Sequence, residues 1–239
     1  MKDPAEFLNN RRFIATFSGG KDSLATLLWI LDNIKHDNFK ILYIEIPGNT
    51  HPLCTQYVRN VCKQLGVYNK LIVDGRYDLE FFECLRKWGI PVIGIYRWCL
   101  WQFKVKVFEK HLSYSLIQVS GVRREDSRAR AKLGLIEIHR LFNAIIVNPI
   151  INWTRRQVLN YIREHGVPLN PCYKIYGHSG NCMFCPYHDK KAIRLTMQDP
   201  EWRNKIISAL RHCKAPLGKK TLRRWMKFYN KSLLGYINA

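Results

Sequence analysis

A short apolar run, Phe13-Ile14-Ala15-Thr16-Phe17, breaks at Ser18-Gly19-Gly20. Apolar spacing resumes after Lys21-Asp22-Ser23, at Leu24, Leu27, Leu28 and Leu31. The run is rich in aromatic and β-branched residues and reads as a buried strand; the leucines read as one face of a helix. Strand, glycine turn and helix in that order aim backbone N–H groups and the positive end of a helix dipole at one point, which suits a phosphate. The glycines let the backbone come close. Lys21 adds a point charge, and Ser18 and Ser23 add hydroxyls. The spacing is not that of the Walker loop, where four residues separate two glycines and Lys-Ser/Thr follows the second.

The alternation continues along the chain. Residues 40–46, 70–73, 116–120 and 145–147 read as strands, and residues 22–33, 52–65, 78–88, 97–111 and 154–165 as helices. Residues 89–96 are apolar but interrupted by proline, which predicts a loop or an edge strand. Strands alternating with helices predict an α/β fold with a doubly wound, Rossmann-like parallel sheet. From residue 167 to 189 the chain is rich in Pro, Gly, Asn and Cys, and reads as a loop that needs something other than an apolar core to hold it. Residues 200–213 and 219–231 read as two helices. The expected organisation is a nucleotide-binding domain over residues 1–198, including the Cys-rich loop, and a basic helical extension over 199–239.

Composition adds a constraint on partners. The net charge is +21, from 39 Lys plus Arg against 18 Asp plus Glu. Such an excess attracts polyanions, most simply nucleic acid, although a solvated surface around a nucleotide site is the other reading. No apolar run approaches the ~18–20 residues of a membrane span, and residues 1–12 are charged, without the apolar core of a signal peptide. An intracellular, cytoplasmic protein without a membrane partner is expected. Eight cysteines in a reducing compartment point to metal, redox or burial rather than disulfides. Cys182-Met183-Phe184-Cys185 is a C-x-x-C that turns both thiolates toward one ion, and Cys172 lies ten residues earlier in the same loop.

Taken together these stretches resemble a known family. Ser18-Gly19-Gly20-Lys21-Asp22-Ser23 resembles the S-G-G-x-D-S "PP-loop" of the ATP pyrophosphatase (adenine nucleotide alpha-hydrolase) superfamily, which includes tRNA thiolases. Gly121-Val122-Arg123 with Ser127 and Arg130 resembles the G-x-R-x-x-x-S-x-x-R motif of the phosphoadenylyl-sulfate (PAPS) reductases. Asn148-Pro149-Ile150, Trp153-Thr154, Gln157-Val158, Tyr161-Ile162 and Val167-Pro168-Leu169-Asn170-Pro171 match that family's next run nearly residue for residue. The resemblance covers residues ~13–190.

It implies an enzyme of sulfur metabolism, an oxidoreductase or transferase. Ser18 to Ser23, Asn49, Thr50, Gly121, Arg123 and Ser127 would bind an adenine nucleotide: PAPS, adenylyl sulfate or ATP. Lys21, Asp22, Arg123 and Arg130 would act in catalysis, with Mg²⁺ on Asp22 if ATP is the substrate. Relatives with an iron–sulfur cluster use a cysteine in an R-W-C sequence like Arg97-Trp98-Cys99. The resemblance therefore implies Cys99, Cys172, Cys182 and Cys185 as ligands of a [4Fe–4S] cluster, with Zn²⁺ as the alternative. The family's reductases also carry a Glu-Cys-Gly-type nucleophile motif; no cysteine follows Cys213 here, so the resemblance does not extend to that step.

The second reading is ATP-dependent thiolation of tRNA or DNA, with a sulfur or electron donor unidentified in either case. A third is a non-catalytic nucleic-acid-binding derivative of the fold. Both draw on the tail, where Lys219, Lys220, Arg223, Arg224, Lys227 and Lys231 alternate with Leu222, Trp225, Phe228 and Tyr229. That spacing gives either an aromatic face for bases with cations along a backbone, or aromatics packed on the domain under solvated charges.

Overall fold

In a computed structural model, described over residues 3–140, 143–213 and 219–227, the expected first strand runs Phe13–Thr16 (β1). Three of its four residues are buried, as a strand covered on both faces requires. β1 leads into α2, Lys21–Asn33, and is preceded by a short helix α1, Pro4–Leu8. The chain continues through β2 (Phe39–Glu45), α3 (Pro52–Gln64), β3 (Leu71–Gly75) and α4 (Phe81–Trp88). A broken helix follows: α5 (Trp98–Leu100), a π-helical turn Trp101–Val105, and α6 (Lys106–Glu109). Then come β4 (Ile117–Val119), β5 (Ile136–His139), β6 (Ala144–Val147) and α7 (Arg155–Glu164).

The sheet order is β3-β2-β1-β4-β6-β5, and every pairing is parallel except β5 with β6. The chain builds outward from β1 through β2 to β3, then restarts on the other side of β1 with β4. The sheet therefore reverses direction between β1 and β4, and ligands of open α/β sheets bind in the crevice at such a point. One sheet face carries the main core, with Phe17, Leu24, Leu28, Tyr43, Val58 and Val158 among its buried residues. The opposite face holds a smaller cluster of Ile14, Leu42, Phe108, Ala144 and Ile146.

Several expectations change. β5 was not foreseen: its Ile-Glu-Ile-His alternation is only four residues long, and Ile138 is 80% exposed on the sheet edge. Residues 89–96 join no sheet; only an isolated bridge links Val92 and Tyr96. The Cys-rich loop does have an apolar core. It folds into α8 (Cys172–Tyr176) and is followed by α9 (Lys190–Gln198) and α10 (Pro200–Arg211). Tyr176, Met183 and Phe184 pack there with Phe81, Trp98 and Trp202. Burying such side chains stabilises by about 1.5–3 kcal/mol each, so apolar packing contributes to holding this region. A further helix, α11, covers residues 219–227, and its Trp225 is 0% exposed in that same core. Phe228, Tyr229 and Lys231 lie outside the described residues.

α7 begins at the expected N-cap: Thr154 and Gln157 form a reciprocal capping box. At its other end His165 makes two contacts that hold a proton on the ring. Its Nδ1 lies 2.8 Å from the Tyr161 carbonyl and its Nε2 2.9 Å from Asp32 on α2. The Tyr161 carbonyl first, and then Asp32, raise its pKa above the ordinary 6.5. A raised folded-state value stabilises fully below the unfolded pKa and is lost as pH rises through the folded one. A charged imidazole at a helix C-terminus stabilises by about 0.3–1 kcal/mol, and this contribution should be lost as pH rises above 6.5 and through the folded value. His165→Gln should flatten that slope in urea titrations; an unchanged slope would place the pH dependence elsewhere.

Candidate active site

The loop after β1 is shaped by contacts that only glycine permits. Gly19 has φ +72°, and a Cβ on it would stand 2.9 Å from the Cys54 Sγ and 3.2 Å from the Asn170 Nδ2. Gly20 is the N-cap of α2 and offers no side-chain cap; the Lys21 N–H is taken by the Tyr173 hydroxyl, which leaves those of Asp22 and Ser23 as the donors of the first turn for a ligand. Ser23 Oγ donates to the Gly20 carbonyl at 2.9 Å and accepts from the Ser18 N–H at 3.2 Å. The hydroxyls of Ser18 and Ser23 are 3.2 Å apart.

The loop after β4 comes against this turn. A Cβ on Gly121 would stand 2.7 Å from the Asp22 carbonyl carbon and oxygen and 2.8 Å from the Ser23 nitrogen. Between the two loops lies a cavity of about 330 Å³. Ser18, Gly20, Asp22, Ser23 and Gly121 line its polar end; Leu42, Ile44 and Phe108 line its apolar side. Arg130 and Lys104 supply cations at its wall. An apolar slot beside a glycine turn and two cations suits a ligand with an apolar body and an anionic end.

The expected residues do not all face this cavity. Arg123 is 3% exposed and turned inward. Its Nε donates to Asp22 at 2.7 Å, its Nη2 to Asp126 at 2.6 Å, and its Nη1 to Glu125 at 2.5 Å and to the Trp153 carbonyl at 3.2 Å. A fork so fully engaged organises the loop instead of gripping an anion. Asp22 is shared between Arg123 and Lys21, whose Nζ donates to its other oxygen at 2.5 Å. Arg130 pairs with Asp126 at 2.7 Å, and its side chain remains 48% exposed. Ser127 accepts from the Arg130 N–H at 3.2 Å, within the loop.

Asn49 and Thr50 also point away from the cavity. Asn49 is fully buried; it donates to the Phe184 carbonyl at 3.0 Å and accepts from the Phe184 N–H at 2.7 Å. Thr50 donates to the Asn181 carbonyl at 2.9 Å. Their turn clamps the Cys-rich loop to the end of β2.

Three residues without a sequence assignment complete the site. Asn170 donates to the Gly19 carbonyl at 3.0 Å and to the Ser179 carbonyl at 2.8 Å, joining the phosphate loop to the Cys-rich loop. The Tyr173 hydroxyl accepts from the Lys21 N–H at 3.0 Å. Lys104, on the π-helical turn, lines the cavity, and its charge offsets a small part of the burial that raises the Cys99 and Cys185 thiols. π-helical turns often mark functional positions, but nothing in residues 101–105 as a sequence announces one.

The cysteines gather only in part. Burial pushes the Cys99 thiol up to about 11, and Cys182 adds to the shift. Burial and then Cys182 push Cys185 up as well, with Cys99 adding. Cys172 is elsewhere: burial and Cys54 raise it to about 12, and its Sγ covers Gly180, 2.7 Å from where a Cβ would stand. Among the described residues no group of three or more His, Cys, Asp or Glu side chains is drawn together closely enough to hold a metal ion. The expected four-thiolate set is thus not assembled: Cys172, the first residue of α8, is buried with its Sγ against Gly180. The basic helix α11 leaves Lys219, Lys220, Arg223 and Lys227 exposed, while Arg224 bonds back to the Pro186 and His188 carbonyls. Among the described residues no helix is long and apolar enough to cross a membrane.

The phosphoadenosine phosphosulfate reductase domain model matches residues 12–186. An uncharacterised protein of Methanocaldococcus jannaschii is 29% identical over 217 residues, covering 86% of this chain and 50% of that protein. An adenosine 5′-phosphosulfate reductase of Bacillus mycoides is 35% identical over 82 residues, covering 34% of this chain and 35% of its own length. The chain thus spans half or less of these relatives. Among solved structures, a PAPS reductase from Candida auris in a phosphate complex aligns with a TM-score of 0.52 at 22% identity, covering 72% of this chain and 84% of that one. An FMN adenylyltransferase from Candida glabrata, with FMN and an ATP analogue, aligns at 0.51 and 15% identity, covering 70% of this chain and 53% of that one. At these identities the likeness shows the shared fold.

Proposed function

Because the chain belongs to the phosphoadenosine phosphosulfate reductase domain family, we propose that its cavity binds an adenosine 5′-phosphosulfate-type nucleotide and cleaves the bond from sulfur to phosphate oxygen. The observation that carries this reading is the cavity where the glycine turn after β1 meets the loop after β4, with Arg130 and Lys104 as the cations at its wall. In this reading the base and ribose occupy the apolar slot of Leu42, Ile44 and Phe108, and the α-phosphate takes N–H groups of the first turn of α2. The sulfate end meets Arg130 and Lys104. Reduction to sulfite takes two electrons from a dithiol donor, which leaves as a disulfide; the nucleoside phosphate leaves with the oxygen. Lys21, freed from Asp22 by the incoming anion, neutralises charge developing on that leaving group.

ATP-dependent sulfur transfer to a nucleic acid is the second reading, favoured by the net charge of +21. There an acceptor oxygen attacks the α-phosphate, pyrophosphate departs, and sulfur then displaces AMP. Mg²⁺ would need Asp22 to release Lys21. In either reading an iron–sulfur cluster or zinc on Cys99, Cys182 and Cys185 would require these thiols to draw closer than they stand here; iron, zinc and sulfide analysis of anaerobically purified protein, with Cys185→Ser as control, measures this.

The deciding assay offers adenylyl sulfate or PAPS with a dithiol, and separately ATP with RNA or DNA. Sulfite release from the first, reduced about 100-fold by Lys21→Ala, is the expected result. Pyrophosphate release with no sulfite would select the second reading. Absence of binding by any adenine nucleotide would remove both.

A further inference from the structure

A second concave surface lies outside the nucleotide cavity. A groove of about 490 Å³ is lined by Trp88, Ile95, Tyr96, Arg97, Trp98 and Trp101. Ile95 is 80% exposed, Trp101 41% and Tyr96 37%. Large apolar side chains gathered on open surface mark a contact site. The segment bearing them, residues 84–108, contains Arg86, Lys87, Arg97, Lys104 and Lys106 and no Asp or Glu.

A chain of contacts links the groove to the basic helix. The Arg97 guanidinium lies over the Tyr187 ring, 5.0 Å from its centroid, and Tyr187 is 53% exposed. The neighbours of Tyr187 in sequence, Pro186 and His188, accept hydrogen bonds from Arg224 of α11. α11 carries Lys219, Lys220, Arg223, Arg224 and Lys227, and no acidic residue. Exposed rings, a stacked arginine and an acid-free basic helix therefore form one strip across two separate parts of the chain.

We propose that this strip binds single-stranded nucleic acid, with bases stacking on Trp101, Tyr96 and Tyr187 and the backbone following Arg97 and the exposed cations of α11. Planar exposed rings interleaved with cations serve unpaired bases, whose faces are open; a duplex keeps its base faces stacked inside. An acidic peptide would satisfy the charge but would leave the rings without planar partners. The proposal does not depend on which reaction the cavity performs, and its test uses no nucleotide, so the two succeed or fail separately.

The experiment is fluorescence anisotropy with labelled single-stranded RNA and DNA of about 20 nucleotides and the matching duplex, over a salt range of roughly 50–200 mM. The full chain should bind a single strand of either sugar more tightly than the duplex. Trp101→Ala with Tyr187→Ala should weaken single-strand binding by about tenfold or more and leave the salt slope unchanged. Trp101→Phe with Tyr187→Phe should recover most of that loss, whereas Trp101→Leu with Tyr187→Leu, which keep apolar bulk without a planar ring, should not. Replacing Lys219, Lys220 and Arg223 together by Gln should reduce the log–log salt slope by about 2. Equal affinity for duplex and single strand, no effect of removing the rings, or no oligonucleotide binding at all would each overturn the proposal.

Discussion

Protein carrying Gly121→Ala should keep its sheet and lose affinity for the nucleotide proposed to occupy the cavity. The backbone of Gly121 is not in a left-handed conformation; the constraint is steric. A methyl group there would press on the Asp22 carbonyl and the Ser23 nitrogen at 2.7–2.8 Å, and both are backbone atoms that cannot rotate away. Either the β4 loop retreats or the first turn of α2 shifts, and both line the cavity. Overpacking of this kind costs about 1–3 kcal/mol of stability. The larger effect is on function, since a displacement near 1 Å at a positioning element lowers turnover by about 100-fold. Calorimetric titration with adenylyl sulfate and with ATP, beside urea unfolding, separates the two losses. Nucleotide affinity equal to that of the unsubstituted protein would show that this approach is not what shapes the site.

Arg123→Ala should be the most destabilising single substitution in the site. Its side chain is 4% exposed and draws Asp22, Glu125 and Asp126 toward one guanidinium. Removing it takes a partner from each of these carboxylates, of which Asp22 keeps Lys21 and Asp126 keeps Arg130, and a charge-assisted hydrogen bond of this kind contributes about 1.5–3 kcal/mol. The deficit should depend on pH. The Arg155 N–H and then Arg123 hold the Glu125 carboxyl below its ordinary 4.5. A lowered value contributes stability above the unfolded pKa and loses it as pH falls through the folded one. The difference between the two proteins is therefore full at neutral pH and narrows on acidification toward and below 4.5. Arg123→Lys should recover only part, because one ammonium cannot reproduce a fork with three carboxylates. Denaturant titrations at neutral and acid pH check this; a deficit under about 1 kcal/mol would mean that the cluster behaves as a surface network.

The phosphate loop was legible because strand, glycines and helix follow in sequence, so the local pattern carries the geometry. The α7 cap was legible for the same reason. Arg123 shows where this stops. Its motif placed it correctly on the loop after β4, but its direction depends on Asp22, about a hundred positions away, and on Glu125 and Asp126 close by. Asn49 is similar: its turn was identified, yet its partner is Phe184, which sequence spacing cannot connect to it. The Cys-rich loop was misjudged on composition. Its Gly, Asn and Pro suggested a weak core, whereas Tyr176, Met183 and Phe184 find partners on α4, α5 and α10. Lys104 left no signal, because a lysine on a helical pattern becomes distinctive only when the π-helical turn directs it into the cavity.

The single amide of Asn170 joins the phosphate loop to the Cys-rich loop, and its carbonyl also accepts from the Cys172 N–H at 2.9 Å. This joint bears on how the protein ages. Asparagine side chains usually hydrolyse after attack by the backbone nitrogen of the following residue. Here that residue is Pro171, whose nitrogen carries no hydrogen. The common route of deamidation is therefore closed at this position. Conversion to aspartate would set a carboxylate against the Gly19 and Ser179 carbonyls and drive the two loops apart. The proline that follows protects the donor both loops share, and gives the site a chemical durability that its packing alone would not supply.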